Sequence, residues 1–524
     1  VDFGEIMAAD TASSAAPLPT GLHGRRAFGQ LDFEIDSRGC ISNYDAAVNY
    51  FPGERRAIYG STDGLAPANA TFAADFEILY MQTYKIVRNF RSDDVFVLRQ
   101  CGTPDALPGL PSFAAGAPVF EVPVRSWSTG GTVAVSFLEE IGLGPQAALV
   151  DATWVTSPCV QKLVACGVTS TWDAAGARVS GVSWGSEVER QRVELNLIDA
   201  FGTGSTGSAV DVTFDATGDP SLLGRAEWLK FAAAFFNREA EANAVFRRIS
   251  SNFDSVVAAV AAARTHGAPS PRVGFVTHVA PSSFNGHVAS YHVAAPAYLM
   301  EAITKAGGTP LDASACPDDN PYDSKYVCAD GAAMEAVLRT LDVVVDESYP
   351  EGGDYASYSL ATFRRRFGLV EGVRYPFLAQ RGAGAGGGGG SSGGGGGSSG
   401  SSGGSSGGGV YRTDGRLSLA DGTQGSDFYE SAIPHADVFL ADLVAALTPR
   451  AVPTHTRRYL RDLTAAEQPT VVTPAACDNP YAVCAGEVAP PTPPAAANDC
   501  HGDACSILPD RAPPPALPPP RAAP

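Results

Sequence analysis

Apolar residues recur at three- and four-residue steps through Asp219–Ser250, DPSLLGRAEWLKFAAAFFNREAEANAVFRRIS, and this spacing predicts one continuous helix. Asp219 is placed to cap the first-turn amides, and Pro220 follows where a missing N–H is harmless. Trp228, Phe231, Phe235, Ala242, Phe246 and Ile249 form its apolar stripe. At 1.5 Å per residue the helix would run roughly 40 Å, enough to cross a domain.

Shorter runs flank it on both sides. TYKIVRNF and VFVLRQCG read as two strands of a hairpin around Arg91–Asp94. Strand Val119–Val124, helix Gly131–Ile141, strand Ala147–Ala152 and helix Cys159–Cys166 follow. Beyond the long helix come helix Ser255–Arg264, strand Arg272–Val279, helices Pro296–Ala306 and Ala332–Thr340, and strand Val343–Asp346. Helices Tyr355–Phe367 and Asp437–Leu447 close the series. Alternating strands and helices predict an α/β fold with sheets covered by helices. A long helix between two such halves predicts two lobes at fixed separation, with a ligand cleft between them.

The expected boundaries are a poorly ordered lead over 1–71, lobe one over 72–218, the connecting helix over 219–250, lobe two over 251–463, and a Pro/Ala/Cys-rich tail over 464–524. The Gly/Ser run at 383–409 offers no apolar surface to bury and reads as a solvated insertion within lobe two. A net charge of −19 leaves no basic stripe to neutralise phosphates, so nucleic acid is excluded as a partner. The plainer meaning of the acidity is solubility.

Most of the ten cysteines lie in short-range pairs, which predicts local disulfides Cys159–Cys166, Cys316–Cys328, Cys477–Cys484 and Cys500–Cys505. Cys40 and Cys101 pair by exclusion. Zinc would want ligand pairs two to four residues apart, and these gaps are wider and unequal. Disulfides, with a sequon at Asn69–Thr71, predict an extracellular or cell-surface location reached through the secretory pathway. The chain begins at Val1 with no basic-then-apolar leader, so a signal peptide is expected to have been removed or to be missing. No apolar run approaches the roughly 20 residues needed to span a bilayer.

The hairpin run, then VFEVPVRSWSTGGTVAVSFLEEIGL, GRAEWLKFAAAFFNREAEANAVF, LDVVVDESY and GSDFYESAIPHADVFLADLVAALTP, resembles in order the helical-backbone (class III) periplasmic-binding-protein superfamily, in its cobalamin- and ferric-siderophore-binding branch. The resemblance covers about residues 72–463. It implies two Rossmann-like lobes, a rigid connecting helix, and capture of a metal chelate for handover to a membrane transporter or receptor, without catalysis. The Gly/Ser insertion, the cysteine loops and the tail depart from the bacterial pattern and put the permease partner in doubt.

Open α/β sheets bind ligands beyond the carboxyl ends of their strands. That rule selects Arg125, Ser126, Trp127, Ser128 and Thr129 after FEVPV, with Trp154 and Trp184, in lobe one. In lobe two it selects His278, Tyr291, Glu347 and Tyr349, and Arg412 past the insertion. Aromatic faces grip a bulky chelate, and an anionic siderophore would require arginine. The competing reading of each aromatic is local packing.

Three other patterns point to different chemistry. GTGSTG at 202–207 fits a dinucleotide fingerprint, but a strand-like run follows it instead of a helix, so it reads as a glycine turn and no cofactor is expected. GVSWG around Ser183 fits a nucleophile elbow, with His266, His278, His287 and His292 as downstream candidates for a base; a secreted serine hydrolase is the alternative function. As direct metal ligands, the clustered His278, His287 and His292 would want a carboxylate and a fourth group from lobe one, and isolated loop histidines are more often solvated, so no metal site is expected. A third reading is a surface interaction protein that has lost its ligand.

Overall fold

The computed structural model describes residues 34–51, 70–172, 183–199, 202–264, 269–282, 287–312, 316, 318–320, 325–379, 408–420, 423–473, 477, 481 and 484. Most of the Gly/Ser run, Asn69, His266, Cys500 and Cys505 lie outside the described residues.

Lobe one begins with a four-stranded sheet, β1 Phe76–Tyr80, β2 Tyr84–Asn89, β3 Asp94–Gln100 and β4 Val119–Val122, in sequential order. The expected hairpin is β2–β3, with Tyr84 opposite Arg99. Its second sheet is wholly parallel: β5 Trp127–Thr129, β6 Ala147–Val150, β7 Ser170–Thr171, β8 Leu195–Ile198 and β9 Asp211–Thr213, in the order β7-β6-β5-β8-β9. Helices α1 Val133–Glu140, α2 Pro158–Ala165 and α3 Trp184–Arg190 connect these strands. The order is that of a doubly wound half-sheet, whose two wings leave β5 in opposite directions.

The element that passes from one lobe to the other is a helical hairpin, not one helix. α4 spans Leu222–Phe236 and α5 spans Glu239–Ala263. Asn237 between them takes the left-handed conformation at φ 54°, and its N–H returns to Ala233 O, a C-terminal αL cap. Lys85, wholly buried, donates to Ala234 O at 2.5 Å and to Asn237 Oδ1 at 2.8 Å, holding the break against the β2–β3 hairpin. Glu239 and Glu241 then sit in the first turn of α5, where the helix dipole favours them. α5 also runs straight through the Ser250–Ser251 step read as a boundary: the Ser255 hydroxyl bonds back to Ser251 O, a contact a helix accommodates.

α4 is buried on nearly all sides, and Trp228 to Phe236 belong to the core of lobe one. Leu222, Leu223 and Ala226 at its start, with Phe246 to Val260 of α5, belong to the core of lobe two. Glu227 accepts the N–H groups of Thr71, Phe72 and Ala73 and pairs with Lys230 at 2.6 Å, tying the start of lobe one to this helix.

Lobe two contains β10 Arg272–Val279, β11 Ser290–Ala294, β12 Thr309–Pro310, β13 Asp318–Asn320, β14 Lys325–Cys328, β15 Val343–Asp346 and β16 Gly409–Arg412. β10, β15 and β16 are parallel neighbours, Phe275 opposite Val345 and Val345 opposite Tyr411. Antiparallel strands extend the sheet at both edges, including β19 Arg461–Asp462. Helices α6 Ala297–Lys305, α7 Gly331–Leu338, α8 Leu360–Arg366 and α9 Ala436–Leu447 accompany it, and α9 packs on α5. A small sheet of β17 Arg416–Ala420, β18 Thr423–Ser426 and β20 Thr470–Val472 lies beside it. β20 and the folded segment 34–51 show that regular structure reaches into both stretches read as lead and tail.

The cysteines pair differently from the local expectation. Cys316–Cys328 and Cys40–Cys101 form as expected, but Cys159 joins Cys484 and Cys166 joins Cys477. Cys159 lies within α2 and Cys166 caps its C-terminal end. A helix holds residues seven apart along its length, beyond the short Cα separation a disulfide needs. The partners come instead from the chain beyond β20, so two bonds tie the end of lobe two to lobe one.

Candidate functional site

Between the lobes lies a cavity of about 600 Å³. Its lobe-one wall is built from chain just past three parallel strands: Gly130–Val133 after β5, Asp151 and Trp154 after β6, and Asp199 and Thr203 after β8. This is the switch point of the sheet, where connections diverge and leave a crevice. Two glycines let the loops meet there. A Cβ on Gly130 would lie 2.6 Å from Gly204 Cα, so the GTGSTG turn serves close backbone approach.

The lobe-two wall is aromatic, with Tyr298 from α6, Tyr349 and Tyr355 after β15, and Phe428 and Tyr429 after β18. Leu222 and Arg225 from α4 complete it. Burial pushes the phenols of Tyr298 and Tyr355 up to about 12, so both stay neutral hydroxyls at physiological pH. Arg225 stacks on Tyr298, 3.4 Å from its centroid, and donates to the carbonyls of Asp219 and Thr217.

The lobes also touch directly, two residues beyond Trp154 on one side and next to Tyr429 on the other. Glu430 accepts the N–H of Thr156 at 2.7 Å and of Ser157 at 2.9 Å, at the start of α2, while Thr156 donates to Asp427. Ser157 caps the same helix through Val160 N. Burial raises the Glu430 carboxyl well above the ordinary range, with Asp427 nearby adding to it.

Of the residues singled out in the sequence, Trp154 and Tyr349 line this cavity, 41% and 53% exposed. Glu347 stands close enough for its charge to act on Tyr298 and Tyr429, both in the wall. The others are placed elsewhere. Trp127 is fully buried, its indole N–H on Leu143 O at 2.7 Å, and Ser128 donates to Asn196. Thr129 is buried at the strand end, with its hydroxyl on Gly131 O. Ser126 receives Glu194 N, and Arg125 pairs with the Glu194 carboxylate at 2.5 Å. FEVPV belongs largely to β4 in the first sheet; the strand that points at the cleft is β5, so the cleft loop starts at Gly130.

Trp184 packs against Trp172 and reaches Asn196, although Gly204 beside it touches the cavity loop. His278 and Tyr291 meet at 5.1 Å with their rings tilted by 55°, and both lie against Phe367 within lobe two. Burial pushes the His278 imidazole down, with Arg366 adding to the effect. Arg412 is 1% exposed and spends its guanidinium on Asp346, Asp414 and the Ser348 carbonyl, stacked over Tyr358. It is a strut of the lobe-two sheet. Asp151, Asp199, Arg225, Tyr298, Tyr355 and Tyr429 were missed, although both aspartates end strand-like runs, AALVD and ELNLID.

Ser183 is an exposed N-cap whose hydroxyl partners are the N–H and Oγ of Ser186. Among the described residues no histidine hydrogen bonds to it, and His266 lies outside them. The one cluster of metal-type ligands among the described residues, Cys40, Cys101 and Glu121, has its sulfurs in a disulfide.

No protein-family model and no curated protein matches the chain. Among solved structures it is similar to a periplasmic heme-binding protein from Pseudomonas aeruginosa, at 15% identity and TM-score 0.38, covering 67% of this chain and 100% of that one. A periplasmic heme-binding protein from Roseiflexus shows 14% identity and TM-score 0.36 over 63% and 99%. The petrobactin-binding protein from Bacillus subtilis shows 10% identity and TM-score 0.31 over 43% and 71%.

Proposed function

We propose that this chain is a substrate-binding protein that captures a compact metal chelate between its lobes and performs no reaction on it. The observation that carries this reading is the aromatic cavity at the carboxyl ends of the lobe-one strands. Its volume falls in the range of small-ligand sites, and aromatic walls with a few polar groups suit a rigid ligand. The walls are held by two cores, a helical hairpin and two inter-lobe disulfides. A preformed pocket keeps the ordering cost of binding low.

Four disulfides among the described residues favour an oxidising compartment outside the cytosol. No helix among the described residues is long and apolar enough to cross a membrane. Handover to a membrane transporter or receptor would follow capture. The test is a tryptophan-fluorescence titration with ferric siderophores, heme and cobalamin, because Trp154 lines the cavity. Saturation by one of them, weakened by Trp154→Ala, supports the reading. A flat response to the whole panel removes it.

A further inference from the structure

We infer that Glu430 is a positioning residue for the cavity: from outside the lining, its side chain sets where the aromatic wall of lobe two stands against lobe one, and through that the affinity for a ligand. The inference rests on the capture role proposed above. Glu430 is not in the lining, but its neighbour Tyr429 is, as are Phe428, Ala432 and Ile433 on the same segment. On the opposite wall Trp154 lines the cavity two residues before Thr156, whose N–H Glu430 accepts at 2.7 Å. One bond thus joins the chain behind two rings from opposite walls, both more than two-fifths exposed.

The seam around this bond is built from both lobes. Thr156 and Ser157 are buried, and Glu430 accepts the N–H of each. The Ser136 hydroxyl on α1 donates to the Glu430 carbonyl at 3.0 Å. Asp427 accepts the Thr156 hydroxyl at 2.9 Å from lobe one, and Arg458 and the Ser431 hydroxyl from lobe two. The chains approach closely here: a Cβ on Gly425 would lie 2.2 Å from Trp154 O. Without the Glu430 side chain two buried amides lose their acceptor, and leaving such groups unpaired is costly. The seam can recover only by admitting water or by shifting, and either moves Tyr429 relative to Trp154. A wall that must be re-formed on binding then charges its ordering cost against affinity.

The test compares Glu430→Ala with Leu443→Ala, a lobe-two core residue outside the lining, in the full chain at a temperature where circular dichroism shows both folded. Acrylamide quenching of Trp154, taken as the signal that Trp154→Phe removes, reads the wall with no ligand present. Titration with ferric siderophores, heme and cobalamin reads affinity. Glu430→Ala is expected to raise the quenching and to weaken chelate binding about fivefold or more, the lower end of coupling between separate sites. Leu443→Ala should lower the melting temperature and leave both readings at their wild-type values. Thr156→Val, which removes only the hydroxyl bond to Asp427, should move both readings the same way by less, and it replaces Glu430→Ala if that variant does not fold. Readings no different from those of Leu443→Ala overturn the inference. If no chelate saturates the wild-type chain, the capture role falls and the affinity half of the inference with it. The quenching then still decides the other half: raised, Glu430 sets the wall; unchanged, it does not.

Discussion

Lys85 donates its ammonium to the carbonyl of Ala234, 149 residues later in the chain, at 2.5 Å. That bond joins the first hairpin of lobe one to the last turn of α4, where the path between lobes reverses. Burial pushes the Lys85 ammonium down, and Glu239 acts to restore it. Lys85→Ala would leave Asn237 Oδ1 and the Glu239 carboxylate without this partner. The expected loss is about 3–5 kcal/mol, typical of breaking a buried charged contact from one side. Urea unfolding of the variant beside wild type measures it.

Trp228 sits in the same helix with no solvent exposure, ringed by Phe76, Phe214 and Phe231. Trp228→Ala is expected to destabilise by about 3–5 kcal/mol, as deletion of a large buried aromatic does. Thermal and chemical unfolding of the purified variant provide the check.

The two bonds from α2 to the chain beyond β20 close loops of 325 and 311 residues by sequence separation. Chain-entropy reasoning puts the stabilisation from loops this long on the order of 5 kcal/mol. Peptide mapping without reduction should recover Cys159 linked to Cys484 and Cys166 linked to Cys477. Cys159→Ser with Cys166→Ser should lower the unfolding midpoint far more than Cys316→Ser with Cys328→Ser, whose loop spans only 12 residues.

Glu140, at the end of α1, lies 2.8 Å from Arg248 on α5 and 3.2 Å from His435 before α9. Burial pushes its carboxyl up, but His435 and Arg248 outweigh that and hold it below its ordinary value of 4.5. A depressed value in the folded state means this stability is present above pH 4.5 and lost as pH falls through the folded-state value. Glu140→Gln should lower the melting temperature at neutral pH and flatten its decline below about pH 4.5. Melting curves of both proteins from pH 7 to pH 3 would show the difference.

Two tryptophans separate packing from capture. Trp127→Ala should destabilise by roughly 3 kcal/mol or more, because its ring is core. Trp154→Ala or Tyr349→Ala should leave stability within about 0.5 kcal/mol and weaken chelate binding about tenfold. Unfolding and fluorescence titration on the same preparations distinguish the two classes; equal affinity losses for all three would contradict the placement.

Local pattern alone determined most of the elements. β10 and β15 fall where alternation and apolar runs put them, and the α/β alternation of both lobes was legible because periodicity reports burial directly. The break at Asn237 was half visible, in an asparagine followed by Glu239 and Glu241. The deciding contact was Lys85, which no local window contains. The cysteine pairing had the same character: neighbours in sequence cannot meet when a helix separates them, and their true partners lie more than 300 residues away. The site shows the limit most plainly. Strand ends could be read, but which sheet a strand joins is a long-range choice made by pairing. Because FEVPV pairs chiefly with β3, the cleft moved from Arg125–Thr129 to Gly130–Val133, and arginines expected to meet a ligand became partners of Asp and Glu instead.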